Sequence, residues 1–298
     1  MSEDRPDWLP RDPILVIGDA CRDVFVRVAA ERLSRETPLP VFLRRSETQA
    51  GGGAINVARQ IERLGVLPET RYIAETSKTR FVAETAGRPQ EVFRLDEEWP
   101  PRLYRDAMEP SGAVSAVILV DYQGQPWPAE IIAWAHTAWG VPVIGDCRRI
   151  AGEWEGIDVL KASIQDAPGV TFDSPNEDFL DYRAHLRVGA LVLTCGARGH
   201  IVVSALGVER SPAAPNPAPV VNISGAGDVF TGTLAVALAG DKEVLMAAHI
   251  AGVAAGLRIR KQGYNEAVSW TEIYRWSEER QNSLAGERLS PPATAAWG

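Results

Sequence analysis

Cysteine is scarce in this chain, and a surplus of positive charge is absent. Three cysteines stand among 298 residues, Cys21, Cys147 and Cys195, far apart and without a CxxC pair. That pattern argues against a disulfide framework and against a zinc site, and it suits reduced thiols in a cytoplasmic protein. Lys and Arg total 31 against 39 Asp and Glu, a net charge of -8, so the basic surface that nucleic-acid phosphates or anionic lipid require is lacking. No apolar run approaches the roughly 20 residues needed to cross a bilayer, and the opening stretch MSEDRPDWLPRD has no apolar export core. The expectation is a soluble, cytoplasmic protein with neither nucleic acid nor membrane as partner.

What is present is 45% hydrophobic residues, enough for one large core. Short apolar runs end repeatedly in polar residues: Ile14 to Ile17 before Gly18-Asp19, Val117 to Val120 before Asp121, Val141 to Ile144 near Asp146, Val159-Leu160 before Lys161, and Ala190 to Leu193 before Thr194. Between them lie helical stretches, Asn56 to Leu64, Pro128 to Trp139, Pro175 to Arg187, Ala226 to Ala239 and Lys242 to Lys261. The alternation predicts an α/β fold with a doubly wound, mostly parallel sheet, whose ligands bind beyond the carboxyl ends of the strands. Two regions, about 20–46 and 78–97, alternate apolar with charged residues instead and predict a small antiparallel β lid, apart from the main sheet. The domain is expected to occupy residues 1–281, with 282–298, rich in Ser, Pro and Ala, as a mobile tail.

Chemistry concentrates in three glycine-bearing motifs. In NISGAGDVFTGTLAVALAG, residues 222–240, a Gly225-Ala226-Gly227 turn opens a helix and puts Asp228 in its first turn. Helix-start amides form an anion site, and an ionised Asp beside it can take a hydroxyl proton; the alternative is a simple helix cap. TCGARG at 194–199 follows an apolar strand, and its Gly196 and Gly199 either admit a phosphate or ribose or make a hairpin turn. AGGGAINVARQIERLG at 50–65 offers Gly51 to Gly53 and then Asn56, a place for a sugar or an ordinary strand-to-helix turn.

The order and spacing of these motifs, together with VIGDACRDVFVRV (16–28), RLSRETPLPVF (32–42), SKTRF (77–81), FRLDEE (93–98), LVDYQGQ (119–125) and GVPVIGD (140–146), resembles the ribokinase/PfkB carbohydrate kinases. The segment at 34–40 and the SKTR run narrow the likeness to the kinases of D-glycero-D-manno-heptose 7-phosphate. The resemblance implies ATP-dependent phosphorylation of a sugar or sugar-phosphate hydroxyl, with Mg2+ as cofactor. It implies Asp228 as general base, with Gly225, Ala226 and Gly227 as the anion hole. Asp19, Asp23, Gly52, Gly53 and Asn56 would hold the sugar, and Lys78 and Arg80 would meet a phosphate already on it. Thr194, Gly196, Gly199, Gly263 and Asn265 would line the ATP site. The family's Asn-x-x-Glu pair is matched by Ser163 and Asp166, the latter reaching the metal through water, and not by SPNED at 174–178.

Three further departures stand out. Asn222 replaces a family Asp near the usual monovalent-cation site, which makes a potassium requirement doubtful. Gly252 replaces an Asn on the nucleotide side. The stretch from Leu64 to Lys78 is too short for the family's helix-strand unit, so one sheet edge should be missing. These departures leave a second reading open, a catalytically weakened relative that binds a ligand or partner. Exposed apolar lid strands, Val24 to Val28 and Val41 to Leu43, predict a homodimer through the lids.

Overall fold

The computed structural model describes residues 6–85, 88–98, 112–122, 129–148, 150, 154–213, 219–263 and 266–278. In chain order the elements are β1 (Ile14–Leu33), β2 (Pro40–Gly53), α1 (Ala54–Arg63), β3 (Pro68–Thr85), β4 (Arg88–Glu98), β5 (Ala116–Asp121), α2 (Ala129–Trp139), β6 (Val143–Cys147), β7 (Val159–Ser163), α3 (Asn176–Leu186), β8 (Ala190–Thr194), β9 (His200–Ser204), β10 (Gly207–Ser211), α4 (Ala226–Ala239) and α5 (Val244–Arg258). A further helix, α6, covers 270–278.

Uninterrupted apolar runs make strands that must be covered on both faces. The sheet order is β10-β9-β8-β7-β6-β5-β1-β3-β4, with β2 on β1. From β3 through β1, β5, β6 and β7 to β8 every neighbouring pair is parallel. Alternate residues feed opposite layers. Ile14, Val16, Ile118 and Val120 pack with α1, α4 and α5, whereas Leu15, Ile17, Val117 and Leu119 pack with α2 and α3. All three cysteines are unpaired thiols. No helix among the described residues is long and apolar enough to cross a membrane.

The lid consists of two antiparallel hairpins, β1–β2 and β3–β4. Their inner strands pair in parallel from Ala20 opposite Glu75 to Val28 opposite Ala83. The same strands β1 and β3 form part of the core, so the lid is an outgrowth of the main sheet and not a separate one. This also explains the short stretch after Leu64. β3 begins at Pro68, directly after α1 and its turn, and one strand serves as both core edge and lid. The tail 282–298 lies outside the described residues.

Helix α4 is buried along nearly its whole length, and its small residues allow close approach of α1. A side chain at Gly232 would meet the Val57 carbonyl and Gln60 Cβ at 2.9 Å. Gln60 itself is fully buried, with its amide donating to Thr233 Oγ1 (3.2 Å) and the Val268 carbonyl (2.9 Å) and its oxygen accepting from the Val268 amide (2.8 Å). This side chain fastens α1 to α4 and to the segment before α6. Gln60→Leu keeps the bulk but strands two buried backbone groups, so unfolding free energy should fall by about 2–4 kcal/mol. Urea titration checks this; a midpoint matching wild type would show that Val268 finds other partners.

Candidate functional site

Asp19, where β1 leaves the core, and the carboxyl ends of β5, β6 and β7 converge on the first turn of α4. Gly225 adopts a left-handed conformation (φ 76°) as it opens the helix, and the Ala226 amide leans to the Ile223 carbonyl at 3.3 Å. The first intrahelical bond is Val229 N–H to the Gly225 carbonyl. The amides of Gly227 and Asp228 therefore precede the hydrogen-bond ladder, the position from which helix-start amides can bind an anion.

Asp228 is buried, 7% exposed, and both of its oxygens are engaged. Tyr122 donates its hydroxyl to Oδ1 at 2.5 Å, and Asn56 donates its side-chain amide to Oδ2 at 2.8 Å. Burial raises the proton affinity of Asp228, and these two donors act in the opposite direction. Arg59 in turn donates to the Asn56 oxygen at 3.2 Å and fixes which way the amide points. Asp19 accepts the Tyr122 backbone N–H at 2.8 Å. Gly53 (φ 59°) leaves room for this arrangement, because a Cβ there would sit 2.5 Å from the Asp19 carbonyl and 3.2 Å from the Tyr122 ring. Asp19, Gly53 and Asn56, singled out for the sugar, thus also build the setting of the carboxylate.

Beneath the turn lies a polar cluster to which the motifs assigned no role. Lys161 from β7 donates to Asp146 Oδ1 from β6 at 2.9 Å, with both side chains buried, and approaches the Gly227 carbonyl at 3.4 Å. Thr231 donates to Asp146 Oδ2 at 2.6 Å, and the Tyr122 oxygen lies 3.1 Å from that same atom. The Arg148 guanidinium covers the Tyr122 ring, 4.8 Å from its centroid. The sequence signal was position alone: Asp146 and Lys161 each close an apolar run.

The other predicted residues are more dispersed. Asp23 and Arg80 lie in the lid and face each other at 3.5 Å, and Arg80 also donates to Glu91 at 3.0 Å. Lys78 is opposite Asp23 on β1 and Asp96 on β4. A Cβ on Gly52 would lie 3.6 Å from Asp23. Ser163 and Thr194 are register neighbours at the ends of β7 and β8, Ser163 capping the short turn that carries Asp166. Burial raises the proton affinity of Asp166, with Arg148 and Lys161 opposing it. Gly196 (φ 57°) opens onto free space, whereas a Cβ on Gly199 would strike the Ser211 carbonyl. Gly199 therefore has a packing reason to be glycine. The Gly263 amide is taken by Glu266 at 2.6 Å, and Asn265 lies outside the described residues. At Gly252 a Cβ would meet His200 ring atoms at 2.9 and 3.0 Å. The buried His200, its pKa pushed down to about 4 by desolvation, fills that volume as a neutral ring. Asn222 accepts the Ser224 amide at 2.9 Å and so shapes the loop into α4.

A doubly wound sheet, a β lid grown from two of its strands and a glycine-led helix start bearing a buried Asp define a ribokinase-type α/β fold. Residues 141–271 match the family model of the pfkB family carbohydrate kinases. The chain is 31% identical over 305 residues to the bifunctional protein HldE of Rhodospirillum rubrum, covering 86% of this chain and 60% of that protein. The bifunctional protein HldE of Pseudomonas aeruginosa is 27% identical over 314 residues, 92% of this chain and 65% of that one. The chain thus spans about three-fifths of the length of these curated relatives. Among solved structures, ribokinase of Arabidopsis thaliana complexed with ribose and ATP superposes with a TM-score of 0.66 at 18% identity, over 89% of this chain and 98% of that one. Phosphofructokinase-2 of Escherichia coli in complex with potassium gives 0.65 at 15% identity, over 90% and 99%. These two likenesses concern the fold.

The Lys161–Asp146 pair has a direct energetic consequence. Removing one member of a buried ion pair leaves the other charged and uncompensated, which costs about 3–5 kcal/mol. Lys161→Met should destabilise by that amount, and adding Asp146→Asn should restore at least half of it. Urea unfolding of the three proteins measures both; a single variant as stable as wild type would mean that the pair carries no such constraint.

Proposed function

We propose that this protein transfers the γ-phosphoryl group of ATP to a hydroxyl of a sugar or sugar phosphate, with the anomeric hydroxyl of heptose 7-phosphate as the first candidate. The observation that carries this reading is Asp228, a buried carboxylate in the same first helical turn as backbone donors suited to an anion. In this reading the acceptor hydroxyl lies against Asp228, which takes its proton as the oxygen attacks phosphorus. The amides of Gly227 and Asp228, with the turn Gly225-Ala226, hold the transferring phosphoryl oxygens. Burial favours the protonated product form of Asp228, while the hydrogen bonds from Tyr122 and Asn56 favour the ionised form that acts as a base.

Asp19, Asp23, Gly52, Gly53 and Asn56 would bound the sugar, and Lys78 and Arg80 would take its existing phosphate, Arg80 exchanging partners with Asp23 and Glu91. Ser163, Thr194, Gly196, Gly199, Gly263 and Asn265 would line the nucleotide. Mg2+ is commonly held by one or two carboxylates with water and substrate phosphates completing its shell, and the single Asp166 fits such water-mediated binding. The metal would supply charge neutralisation between phosphates. The heptose preference rests on the segment at 34–40 and the SKTR run, together with the likeness to HldE proteins.

A homodimer through the lids belongs to the same proposal. Leu33, Leu39, Leu43, Phe93 and Leu95 are all exposed on the lid. Val24, Val26 and Val28, expected to be exposed, are instead buried because β1 is paired with β2 on one side and β3 on the other, and with Phe42 and Phe81 they line an open groove of about 450 Å³. A second lid is the occupant with matching apolar strands. Sedimentation at tens of micromolar should give a dimer; a monomer at that concentration counts against the lid contact.

The chemical step is tested by ADP release with a panel of sugars that includes heptose 7-phosphate. Asp228→Asn keeps size and helix start but removes the base, so kcat should drop by about 10² to 10⁴ with ATP affinity little changed. Gly227→Val, which would crowd Lys161 and the anion turn, should weaken phosphate binding as well. An Asp228→Asn protein as active as wild type overturns the mechanism. ATP binding without transfer to any sugar replaces it with the ligand-binding reading.

A further inference from the structure

The hydroxyl of Tyr122 lies between two carboxylates, 2.5 Å from Asp228 Oδ1 and 3.1 Å from Asp146 Oδ2, and it has a single proton to donate. While Asp228 is ionised, that proton is best spent on Asp228, since Asp146 already receives Lys161 on one oxygen and Thr231 on the other. Once Asp228 holds a proton on Oδ1, the carboxylic acid can donate to the phenol oxygen, and the phenol can turn its own hydrogen to Asp146 Oδ2. Both protonation states are then fully hydrogen-bonded without moving a heavy atom. Given the assignment of Asp228 as base, we propose that Tyr122 is a positioning residue whose hydroxyl reverses its hydrogen bond from Asp228 to Asp146 when Asp228 takes up the substrate proton.

The balance is simple. The O–H bond of the acceptor sugar breaks, an O–H bond forms on Asp228, and Tyr122 keeps its own proton throughout. Burial and the two carboxylates hold the Tyr122 phenol far above its usual ionisation range, consistent with a group that turns but does not ionise. Arg148 lies over the ring, Gly53 leaves room beside it, and the Asp19 bond holds the Tyr122 backbone. The charged and titratable groups facing Asp228 are Tyr122 at the end of β5, Asp146 on β6, Lys161 on β7 and Arg258 on α5. Arg59 on α1 acts one step removed, through Asn56. Of these, Asp146 favours protonation of Asp228 and Lys161 opposes it.

Two substitutions should move the pH profile in opposite directions. Tyr122→Phe keeps the ring but takes a donor from the ionised carboxylate, so the acid limb of kcat/KM should move up by about one unit, with kcat at neutral pH down roughly tenfold. Asp146→Asn removes both the neighbouring negative charge and the acceptor that the reversed hydroxyl needs, so its acid limb should move down. A merely structural role would lower activity evenly across pH. The KM for ATP should stay within about twofold in both variants.

The assay uses the whole chain with ATP and heptose 7-phosphate, or whichever sugar the panel selects. The same displacements are readable without substrate from the ¹³C carboxyl titration of Asp228, identified by its loss in Asp228→Asn. Unshifted or equally directed limbs, or a carboxyl titration in Tyr122→Phe that matches wild type, overturn the role of Tyr122 while leaving the base in place. Full activity in Asp228→Asn would instead overturn the base assignment on which the role depends.

Discussion

A carboxylate buried at a helix start must be supplied with hydrogen bonds or lose its charge, and most of the polar architecture here answers that requirement. Asp228 draws Asn56 from α1 and Tyr122 from the end of β5. Tyr122 in turn depends on Asp19 from β1, and its hydroxyl reaches Asp146 from β6, which depends on Lys161 from β7 and Thr231 from α4. Each strand delivers one polar side chain where its apolar run ends. The strand order brings these contributors together because the chain doubles back in parallel beside β1. Remote stretches of sequence are thereby committed to one electrostatic problem, that of two carboxylates and one ammonium in an apolar interior.

Much of this could be read in advance where local pattern and local structure coincide. Apolar runs ending in Asp19, Asp121 and Asp146 are strand segments that leave the core at those residues, although β1 itself continues past Asp19 into the lid. The Gly225-Ala226-Gly227 turn announced a helix start, and Asp228 followed by position. Tyr122 could not be read in the same way, because a tyrosine after a strand end looks like any half-buried aromatic. Its meaning comes from meeting residues far away along the chain. Lys161 was visible as a polar strand end, but nothing local says that its partner is Asp146 on the neighbouring strand. Glycines were hard to interpret for a related reason. Gly199 and Gly53 both belong to glycine-bearing motifs, yet one makes way for the backbone at Ser211 and the other for the Asp19 carbonyl and the Tyr122 ring.

The lid illustrates a different limit. Alternation of apolar and charged residues marked β1 and β3 as half-exposed beyond the core. It could not tell a separate sheet from a continuation, since the change from two-sided to one-sided burial occurs within one strand, whose pairing with β3 resumes after a register shift between Gly18 and Asp19. The short connection after Leu64 follows from that continuity. An edge strand that also forms the lid needs no additional helix to reach it.

His200 and Gly252 show what such packing means for variation in this protein. The imidazole lies where a side chain on α5 would begin, so the two positions draw on one shared volume. Enlarging one requires shrinking the other, and neither can be interpreted alone. A glycine that reads as a lost polar contact when viewed along α5 is, across the interface with β9, the other half of a single exchange of bulk from helix to strand.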